Sequence, residues 1–416
     1  MKISRCALWL GAVCWWSSQG IAQAANSESN TYVKFRNESA LSHYLKQNPE
    51  SSRVHSALMW VQTSAAGRNV FTANVQQSLG IETVESDHNS YRIPKPVMPE
   101  LLAAEVPGAK LWGIKKIQSM TAWNTTRGSA DVVVAVVDTG IDYNHPALKD
   151  NMWFNIAEKN GQPGVDDDGN GYVDDIHGAD FISGKATPLD DEGHGSHVAG
   201  TIAGRLPADD FYGVAPQARL MAIKTHNTKG EGSKSSVVKG ILYAADNGAR
   251  VLNCSWGGAP EAGEYDQMLF DAIEYANKKG AVLIASAGNA AANNDTGMHF
   301  PSNYDLPGII SVASSTSNDT RSYFSNYGSR TVDLAAPGSN IWSVTAGGKS
   351  YESLSGTSMA SPHVSGAAAL LASTPAGRGM SPGQIRETLM NNVEKLQEWS
   401  TRVISGGRLD VSFIGK

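Results

Sequence analysis

Cysteine is scarce in this sequence, with 3 residues among 416. Cys6 and Cys14 lie near the start, in a segment with the features of a removable leader, so the exported chain would keep Cys254 alone. A disulfide within that chain is therefore excluded, and we interpret Cys254 as a small buried apolar side chain rather than a reactive thiol. A lipid anchor on Cys14 is the alternative, but Val13 stands where such signals carry a small residue.

Long apolar runs are missing as well. The apolar stretch at residues 6–16 is too short to span a membrane comfortably, and it follows the positive charges of Lys2 and Arg5. Ala22-Gln23-Ala24 then has the small-x-small form of a signal-peptidase site. These features predict a signal peptide over residues 1–25, a secreted protein (extracellular or periplasmic), and no stable membrane anchor.

Positive charge is not in excess. The chain has 34 Lys and Arg against 40 Asp and Glu, a formal net charge of −6, and no Lys/Arg run. This balance argues against a nucleic-acid partner. Hydrophobic residues at 41% and charged residues at 18% are ordinary globular values, and the length allows one large domain with a smaller one. We expect a monomer.

The first chemically informative stretch is Gly356-Thr357-Ser358-Met359-Ala360. Behind it and after Pro362, residues 364–371 are small and apolar, which predicts a buried helix. The start of a helix has unpaired N–H groups and partial positive charge, so Ser358 would lie beside an anion-stabilising site. Taken alone, such a motif is more often a helix cap than a nucleophile, so the interpretation depends on partners elsewhere.

Two other element ends supply those partners. Val132–Val137 is a continuous apolar run, typical of a strand buried on both faces, and it ends at Asp138. His194, flanked by glycines, opens another small-residue helix, with His197 as a rival candidate. A serine hydroxyl needs a base within hydrogen-bond reach, and the base needs a carboxylate that holds its tautomer. We therefore assign Ser358 as nucleophile, His194 as base and Asp138 as its partner.

In this chain order, Asp then His then Ser, the three motifs resemble those of the subtilisin family of serine proteases. The resemblance covers about residues 105–416 and implies a serine endopeptidase in which His197, the second histidine of its motif, is structural. Asn289, after Ala285-Ser286-Ala287-Gly288, is implied to donate to the oxyanion together with the Ser358 backbone N–H. Two other classes stay open: a catalytically silent homologue that acts as a binding protein, and an acyl-transferring enzyme with the same triad.

The resemblance also implies where a peptide substrate lies. Peptides bind such sites as an added strand between two edges, and glycines let the two backbones approach closely. The substrate-binding residues implied are Gly230 and Gly232 on one edge, Ser255, Trp256 and Gly257 on the other, and Ser286, Ala287 and Gly288 in a pocket wall. Small walls predict a roomy apolar pocket and broad specificity, with apolar residues before the cleaved bond. Met298 and His299 are expected near its floor, where they would narrow it.

An acidic loop follows in the middle of the chain, with five acids among residues 166–175 that would repel one another without a cation. Its spacing matches the start of an EF-hand loop, although His177 replaces the closing Glu. We predict calcium here, the alternative being a solvated acidic turn, with these ligands: Asp166, Asp168, Asn170, the Tyr172 carbonyl and Asp174. The second calcium site that the resemblance implies has Ala147 and Pro207 at ligand positions, so it is absent or rebuilt around Asp209 and Asp210.

Residues 26–105 form a separate region. Its patterns predict a strand at Thr31–Phe35, a helix at Glu38–Gln47 and a second strand at Val70–Val75. Its size and position resemble the inhibitory pro-segment of secreted subtilisins, a small α+β unit that acts as an intramolecular inhibitor. The alternative is an N-terminal subdomain that stays attached.

Residues 106–416 are predicted to be a subtilisin-like peptidase domain of α/β class, with a mostly parallel central sheet and helices on both faces. The predicted strands are Val132–Val137, Arg219–Lys224, Val251–Ser255, Ala281–Ser286 and Ile309–Ala313. The predicted helices are Ser235–Asp246, Tyr265–Lys279 and one from Pro382, capped by Ser381, to about Lys395.

Overall fold

A computed structural model describes residues 30–64, 71–87, 91–94, 109–258, 265–348 and 350–415. The predicted signal peptide, residues 1–25, lies outside the described residues, as does most of the segment that joins the two predicted domains. In the described ranges, no helix has both the length and the apolar character needed to cross a bilayer.

In its described residues, the N-terminal unit is a four-stranded antiparallel sheet in the order β2-β3-β1-β4, with two helices. Its elements are β1 (Thr31–Phe35), α1 (Glu38–Gln47), β2 (Ser52–Arg53), β3 (Trp60–Thr63), α2 (Ala73–Leu79) and β4 (Ile81–Ser86), and β5 (Tyr91–Arg92) follows. The predicted strand β1 and helix α1 are confirmed. Asn37 caps α1 by accepting the Ala40 N–H, and Leu41 and Tyr44 are the side chains that α1 buries.

The prediction of a second strand at Val70–Val75 was wrong. Residues 73–79 form α2, which ends where Gly80 takes the left-handed conformation (φ 68°) and its N–H bonds to carbonyls of the last turn. Gly at this position is a strong helix stop, and the alternation that suggested a strand is also compatible with a helix. Phe71, just before α2, and Val75, within it, pack into the core of the N-terminal unit.

The large domain is built on a nine-stranded sheet in the order β18-β19-β15-β14-β13-β12-β6-β10-β7, parallel except for β18. The strands after β5 are β6 (Val133–Asp138), β7 (Gly178–Asp180), β8 (Arg205–Leu206), β9 (Phe211–Tyr212), β10 (Arg219–Lys224), β11 (Glu231–Gly232), β12 (Val251–Cys254), β13 (Val282–Ser286), β14 (Ile309–Ser315), β15 (Leu334–Pro337), β16 (Ile341–Val344), β17 (Tyr351–Leu354), β18 (Glu394–Lys395) and β19 (Gly407–Arg408). The five predicted strands are all present, with bounds within two residues.

Helices cover both faces of this sheet. They are α3 (Trp112–Lys116), α4 (Ser119–Ala122), α5 (Ile156–Asn160), α6 (His194–Ala203), α7 (Lys234–Asp246), α8 (Gln267–Lys278), α9 (Thr357–Ala372) and α10 (Pro382–Asn391). In β6, Val134 and Val136 pack with α6 and α9, whereas Val133 and Val137 pack with α7 and α8 on the other face. The predicted α/β fold is confirmed, and the uninterrupted apolar strand reflects burial on both sides. Cys254, at the end of β12, is buried and free, as predicted.

The last helix is shorter than predicted. Ser381 caps α10 through a capping box with Gln384, as the Ser-Pro signal indicated, but the helix stops at Asn391. Glu394 and Lys395 instead form β18, which pairs antiparallel with β19.

The N-terminal unit docks on the starts of α7 and α8. Glu85 of β4 and Lys234 of α7 form a buried ion pair at 2.6 Å, and a second Glu85 oxygen accepts the Gln267 N–H that opens α8. Farther along α8, the Trp60 indole donates to Asp271 at 2.8 Å. The unit therefore covers polar helix ends that would otherwise face solvent.

Candidate active site

Asp138 and His194 meet at the carboxyl end of the central strand β6. His194 is the first residue of α6 and follows Gly193, whose φ is 115°. His194 Nδ1 lies 2.8 Å from Asp138 Oδ1, and both side chains are buried. Burial disfavours the imidazolium, but the Asp138 carboxylate outweighs it, so the pKa of His194 is raised above its ordinary value.

The other ring nitrogen of His194 is available to accept a proton. Since Nδ1–H donates to Asp138, the neutral ring has its lone pair on Nε2. Among the residues that the structure describes, buried Nε2 has no hydrogen-bond partner. Such an atom is a poised base.

Ser358 lies in the first turn of α9, which begins at Thr357 rather than after Pro362. Its hydroxyl donates to the Ser255 carbonyl at 2.9 Å, and the Ser255 hydroxyl donates to the Ser358 carbonyl at 2.9 Å. Helices α6 and α9 pack against each other and start at the same edge of the sheet. The Ser358 hydroxyl is thus buried beside the predicted substrate edge. Its hydrogen bond goes to Ser255 of that edge and not to His194.

Two N–H donors converge near Gly356. The Asn289 side-chain oxygen accepts from the Thr357 N–H at 2.9 Å and from its hydroxyl at 2.8 Å, which fixes the amide. Its Nδ2 is buried and unpartnered within the described residues. A Cβ on Gly356 would lie 3.2 Å from Asn289 Nδ2 and 3.5 Å from Ser358 N. A small anionic oxygen could therefore meet both donors.

The rival His197 is separate from this constellation. It is buried on α6, and its Nε2 lies 3.0 Å from the Ile341 carbonyl. Burial, together with the charge of His194, lowers the pKa of His197 to about 3. A neutral ring that donates to a strand carbonyl is a packing element.

The two predicted substrate edges hold a strand between them in this structure. On one edge, β11 pairs antiparallel with β5, and Gly230 accepts from the Ile93 N–H at 2.9 Å. On the other edge, Gly257 and Arg92 exchange two backbone hydrogen bonds of 3.2 Å. Because Arg92 lies opposite Gly257, the antiparallel register places Pro94 opposite Ser255, the residue whose carbonyl Ser358 engages.

The predicted pocket wall is buried and tightly bonded. The Ala287 carbonyl accepts from two asparagine side chains, the Gly288 N–H donates to Thr357, and the Ser286 hydroxyl bonds to the Trp256 carbonyl at 3.4 Å. Trp256 itself donates its indole N–H to the Val137 carbonyl.

His299 narrows the space between the substrate edge at Gly257 and the pocket wall at Gly288. A Cβ on Gly257 would lie 2.2 Å from the His299 ring, and one on Gly288 would lie 2.9 Å from His299 Nε2. Burial lowers the pKa of His299 to about 4, so the ring is neutral near pH 7. Met298, the other residue expected at the floor, is 52% exposed and therefore does not form a buried floor.

Sequence reasoning missed His226, in the turn after β10. Its ring lies 5.4 Å from Trp256, and a Cβ on Gly232 would lie 2.7 Å from His226 Nε2. Burial and the charge of His194 lower the pKa of His226 to about 3. The available signal was its position just after a parallel strand, where open α/β sheets place their sites.

The acidic loop brings Asp168 together with two carboxylates from outside the predicted ligand set. Oxygens of Glu158, Asp168 and Asp175 lie within 4.8 Å of one another. Glu158 comes from α5, outside the motif, so loop spacing could not reveal it. Asp166 and Asp174 lie outside this group and accept backbone N–H bonds within the loop, while the Asn170 amide donates to Asp168 and Asp175.

Comparison with known proteins agrees with this geometry. Residues 129–406 match the pattern of the subtilase family. Thermitase of Thermoactinomyces vulgaris is 38% identical over 294 residues, which cover 70% of this chain and 91% of thermitase. The alkaline protease of Alkalihalobacillus alcalophilus is 32% identical over 385 residues, 91% of this chain and 90% of that protein. Subtilisin Savinase of Lederbergia lenta is 36% identical over 285 residues, 68% of this chain and 91% of Savinase.

Proposed function

The chain belongs to the subtilase family of serine endopeptidases, and on that premise we propose that it is secreted and cleaves peptide bonds with Ser358, His194 and Asp138. The observation that carries the proposal is the buried pair of His194 and Asp138 at 2.8 Å, with His194 Nε2 left open. This is the arrangement that a general base needs.

In the first half of the reaction, the Ser358 hydroxyl leaves the Ser255 carbonyl and attacks the substrate carbonyl carbon. Its proton passes to His194 Nε2, and Asp138 stabilises the imidazolium that forms. The new oxyanion accepts hydrogen bonds from Asn289 Nδ2 and from the Ser358 N–H. His194 then protonates the leaving amine, and an acyl-enzyme remains on Ser358.

In the second half, a water molecule attacks the acyl carbon while His194 takes its proton. The same two donors stabilise the second oxyanion, and its collapse breaks the bond to the Ser358 oxygen, which takes the proton back from His194 as the acid is released. No step needs a metal at the reacting atoms, because the charge that develops is met by N–H donors.

The substrate lies as a strand between Gly230–Gly232 and Ser255–Gly257. We propose broad specificity, with an apolar residue before the cleaved bond in the pocket of Ser286, Ala287 and Gly288. The neutral His299 ring limits the size of that residue, which favours medium apolar side chains over the largest ones.

Residues 26–105 are proposed to be an inhibitory pro-segment. Its residues 91–93 occupy the cleft in the manner of a substrate, with hydrogen bonds to both edges. Pro94, opposite Ser255, has no N–H to offer that carbonyl, and the Ser358 hydroxyl takes it instead. The similarity to alkaline protease covers 385 residues, or 91% of this chain. Residues 106–416 are too few to account for that length, so the similarity includes part of the N-terminal region, which supports a shared pro-segment.

Calcium is proposed for the acidic loop. The oxygens of Glu158, Asp168 and Asp175 are the hard ligands that this ion prefers, and their repulsion favours a cation among them. Asp166 and Asp174 are the alternative carboxylate ligands. The ion would order the segment between Asp138 and His194 and would take no part in the bond cleavage.

The test is to incubate purified wild type and Ser358→Ala with casein and with a fluorophosphonate probe. We expect the wild type to degrade casein and to carry one label per molecule, and the variant to do neither. Casein cleavage that persists in the variant would reject the assignment. A folded wild type without label or cleavage would favour a silent binding protein.

A further inference from the structure

Tyr91 fills a pocket beside the substrate cleft that has an ionisable floor. Its side chain is 3% exposed, and its ring centroid lies 5.2 Å from that of Trp256 in an edge-to-face arrangement. The phenol hydroxyl donates to Asp266 Oδ2 at 2.5 Å. The Tyr304 hydroxyl holds the Asp266 backbone carbonyl at 2.7 Å. An aromatic slot thus ends in a carboxylate.

Trp256, Asp266, Tyr304 and Lys234 belong to the peptidase domain, so they remain when the N-terminal unit leaves, whereas Glu85, the closer partner of Lys234, leaves with that unit. Asp266 Oδ1 accepts the Leu269 N–H at 2.9 Å and thereby caps α8. Lys234 Nζ lies 3.4 Å from Asp266 Oδ2 and holds the carboxylate from the side. Asp266 therefore keeps one oxygen directed at whatever side chain replaces Tyr91.

The backbone register says which substrate residue that is. Tyr91 lies opposite Gly232, Arg92 opposite Gly257, and Pro94 opposite Ser255 beside the nucleophile. Counting back from Pro94 as the residue before the cleaved bond, Tyr91 is the fourth.

We infer that Asp266 makes this enzyme select substrates with tyrosine as the fourth residue before the cleaved bond. The inference rests on the proposed endopeptidase function and on the cleft-bound strand as a likeness of the substrate. A phenylalanine would fill the same slot but could not donate to Asp266 Oδ2, so its complex would lack the hydrogen bond that tyrosine makes there. One hydrogen bond to a charged group corresponds to roughly ten- to hundredfold in kcat/KM.

The experiment compares three chromogenic peptides that differ only in this position: Tyr-Ala-Ala-Leu, Phe-Ala-Ala-Leu and Ala-Ala-Ala-Leu p-nitroanilides. We expect the active wild type to prefer the tyrosine peptide over the phenylalanine peptide by about tenfold or more. Asp266→Ser keeps an N-cap residue for α8 but cannot reach the phenol, so its ratio should fall to about one. Asp266→Asn, which keeps both cap and length, should give an intermediate ratio. Glu274→Gln, on the exposed side of the same helix, is the control and should keep the wild-type ratio.

The outcomes test the tyrosine preference separately from the proposed endopeptidase activity on which it rests. A wild type that reacts with fluorophosphonate and cleaves the tyrosine and phenylalanine peptides equally well would overturn the inference alone. So would a tyrosine preference that survives in Asp266→Ser. If the folded wild type neither reacts with the probe nor cleaves any peptide, the proposed function fails, and the inference fails with it.

Discussion

Ser358 and His194 act on the same proton, so their losses should not add. We expect Ser358→Ala and His194→Ala each to lower kcat about as much as the double variant does. The expected loss is on the order of 10⁶-fold, the value known from subtilisin itself. The measurement is kcat on a peptide substrate for the two single variants and the double variant, with the amount of folded protein determined independently.

His197→Ala is the control for that comparison. His197 is neutral and bonded to the Ile341 carbonyl, so its loss should lower the melting temperature and leave activity per folded molecule nearly intact. If His197→Ala were as silent as Ser358→Ala, and His194→Ala stayed active, the base would be misassigned.

Asn289 should matter only after attack has begun. Asn289→Ala removes a donor to the oxyanion, which does not exist in the bound substrate, so kcat should fall by roughly 10²–10³ with little change in KM; this range also comes from subtilisin. Asn289 also orients the start of α9 through Thr357, so thermal unfolding should be measured in parallel. A rise in KM with unchanged kcat would contradict the role.

The pH dependence of activity should reflect the raised pKa of His194. The base works only when neutral, so kcat/KM should fall as pH falls through this pKa, which lies above the ordinary ~6.5 of histidine. Asp138→Asn removes the charge that raises it, so the acid limb should move to lower pH and the rate should drop by about 10⁴, by analogy with other triads. An acid limb that stays in place in this variant would mean that another group controls it.

The same raised pKa has the opposite effect on stability. The protonated His194–Asp138 pair stabilises the fold below the pKa of histidine in the unfolded chain, and this contribution is lost as pH rises through the folded pKa. Activity and this part of the unfolding free energy should therefore change in opposite directions across neutral pH.

At the scale of the element, the acidic loop predicts a calcium-dependent melting temperature. An ion that binds only the folded state stabilises it by mass action, about 2.7 kcal/mol at a hundredfold excess over Kd. We expect chelation to lower the melting temperature of the wild type, and Asp168→Asn, common to both proposed ligand sets, to abolish that response.

Two further variants distinguish the ligand sets. Glu158→Gln should lose the calcium response if the carboxylate group seen in the structure binds the ion, whereas Asp166→Asn should lose it if the loop motif alone does. Asp150→Asn, an exposed acid outside the loop, serves as the control. A full response in both Glu158→Gln and Asp166→Asn would place the site elsewhere.

At the scale of the whole molecule, the contact between the two units should set the rate of activation. Glu85 neutralises buried Lys234 and accepts the Gln267 N–H at the start of α8. Glu85→Ala therefore leaves an interface cation with fewer partners and the Gln267 N–H without this acceptor. We expect Glu85→Ala to weaken inhibition and shorten the lag before activity appears after synthesis. The measurement is activity and band size over time.

Glu82→Ala is the matched control, because Glu82 lies on the same strand but its side chain is half exposed and pairs with Lys34 of the N-terminal unit itself. It should leave the lag unchanged. Ser358→Ala should accumulate uncleaved if the chain processes itself. Normal processing of Ser358→Ala expressed alone would mean that another protease releases the N-terminal unit.

Local chemistry was readable from the sequence wherever one short segment carries it. The uninterrupted apolar run before Asp138, the glycine-flanked His194 and the small-residue helix behind Ser358 each contain their own structural cause, because burial on both faces and close helix packing leave few other residue choices. The sheet, its main strands and the Ser381 cap could be predicted for that reason. The strand predicted at Val70–Val75 was wrong because so short an apolar pattern does not distinguish a strand from a short helix: the core residues Phe71 and Val75 are four residues apart, a spacing that also fits a helix.

Tertiary structure alone decided what distant segments do together. Glu158 joins Asp168 and Asp175 only after α5 folds beside the loop, and no spacing rule links it to them. Asp266 reads as an ordinary helix cap until β5 brings Tyr91 to it from 175 residues away. His299 likewise reaches the pocket only through the fold, which places its ring against both Gly257 and Gly288. The sequence by itself determined the reacting groups and the fold that carries them; the shape and charge of the cleft arise from contacts between segments far apart in the chain, which no local pattern encodes.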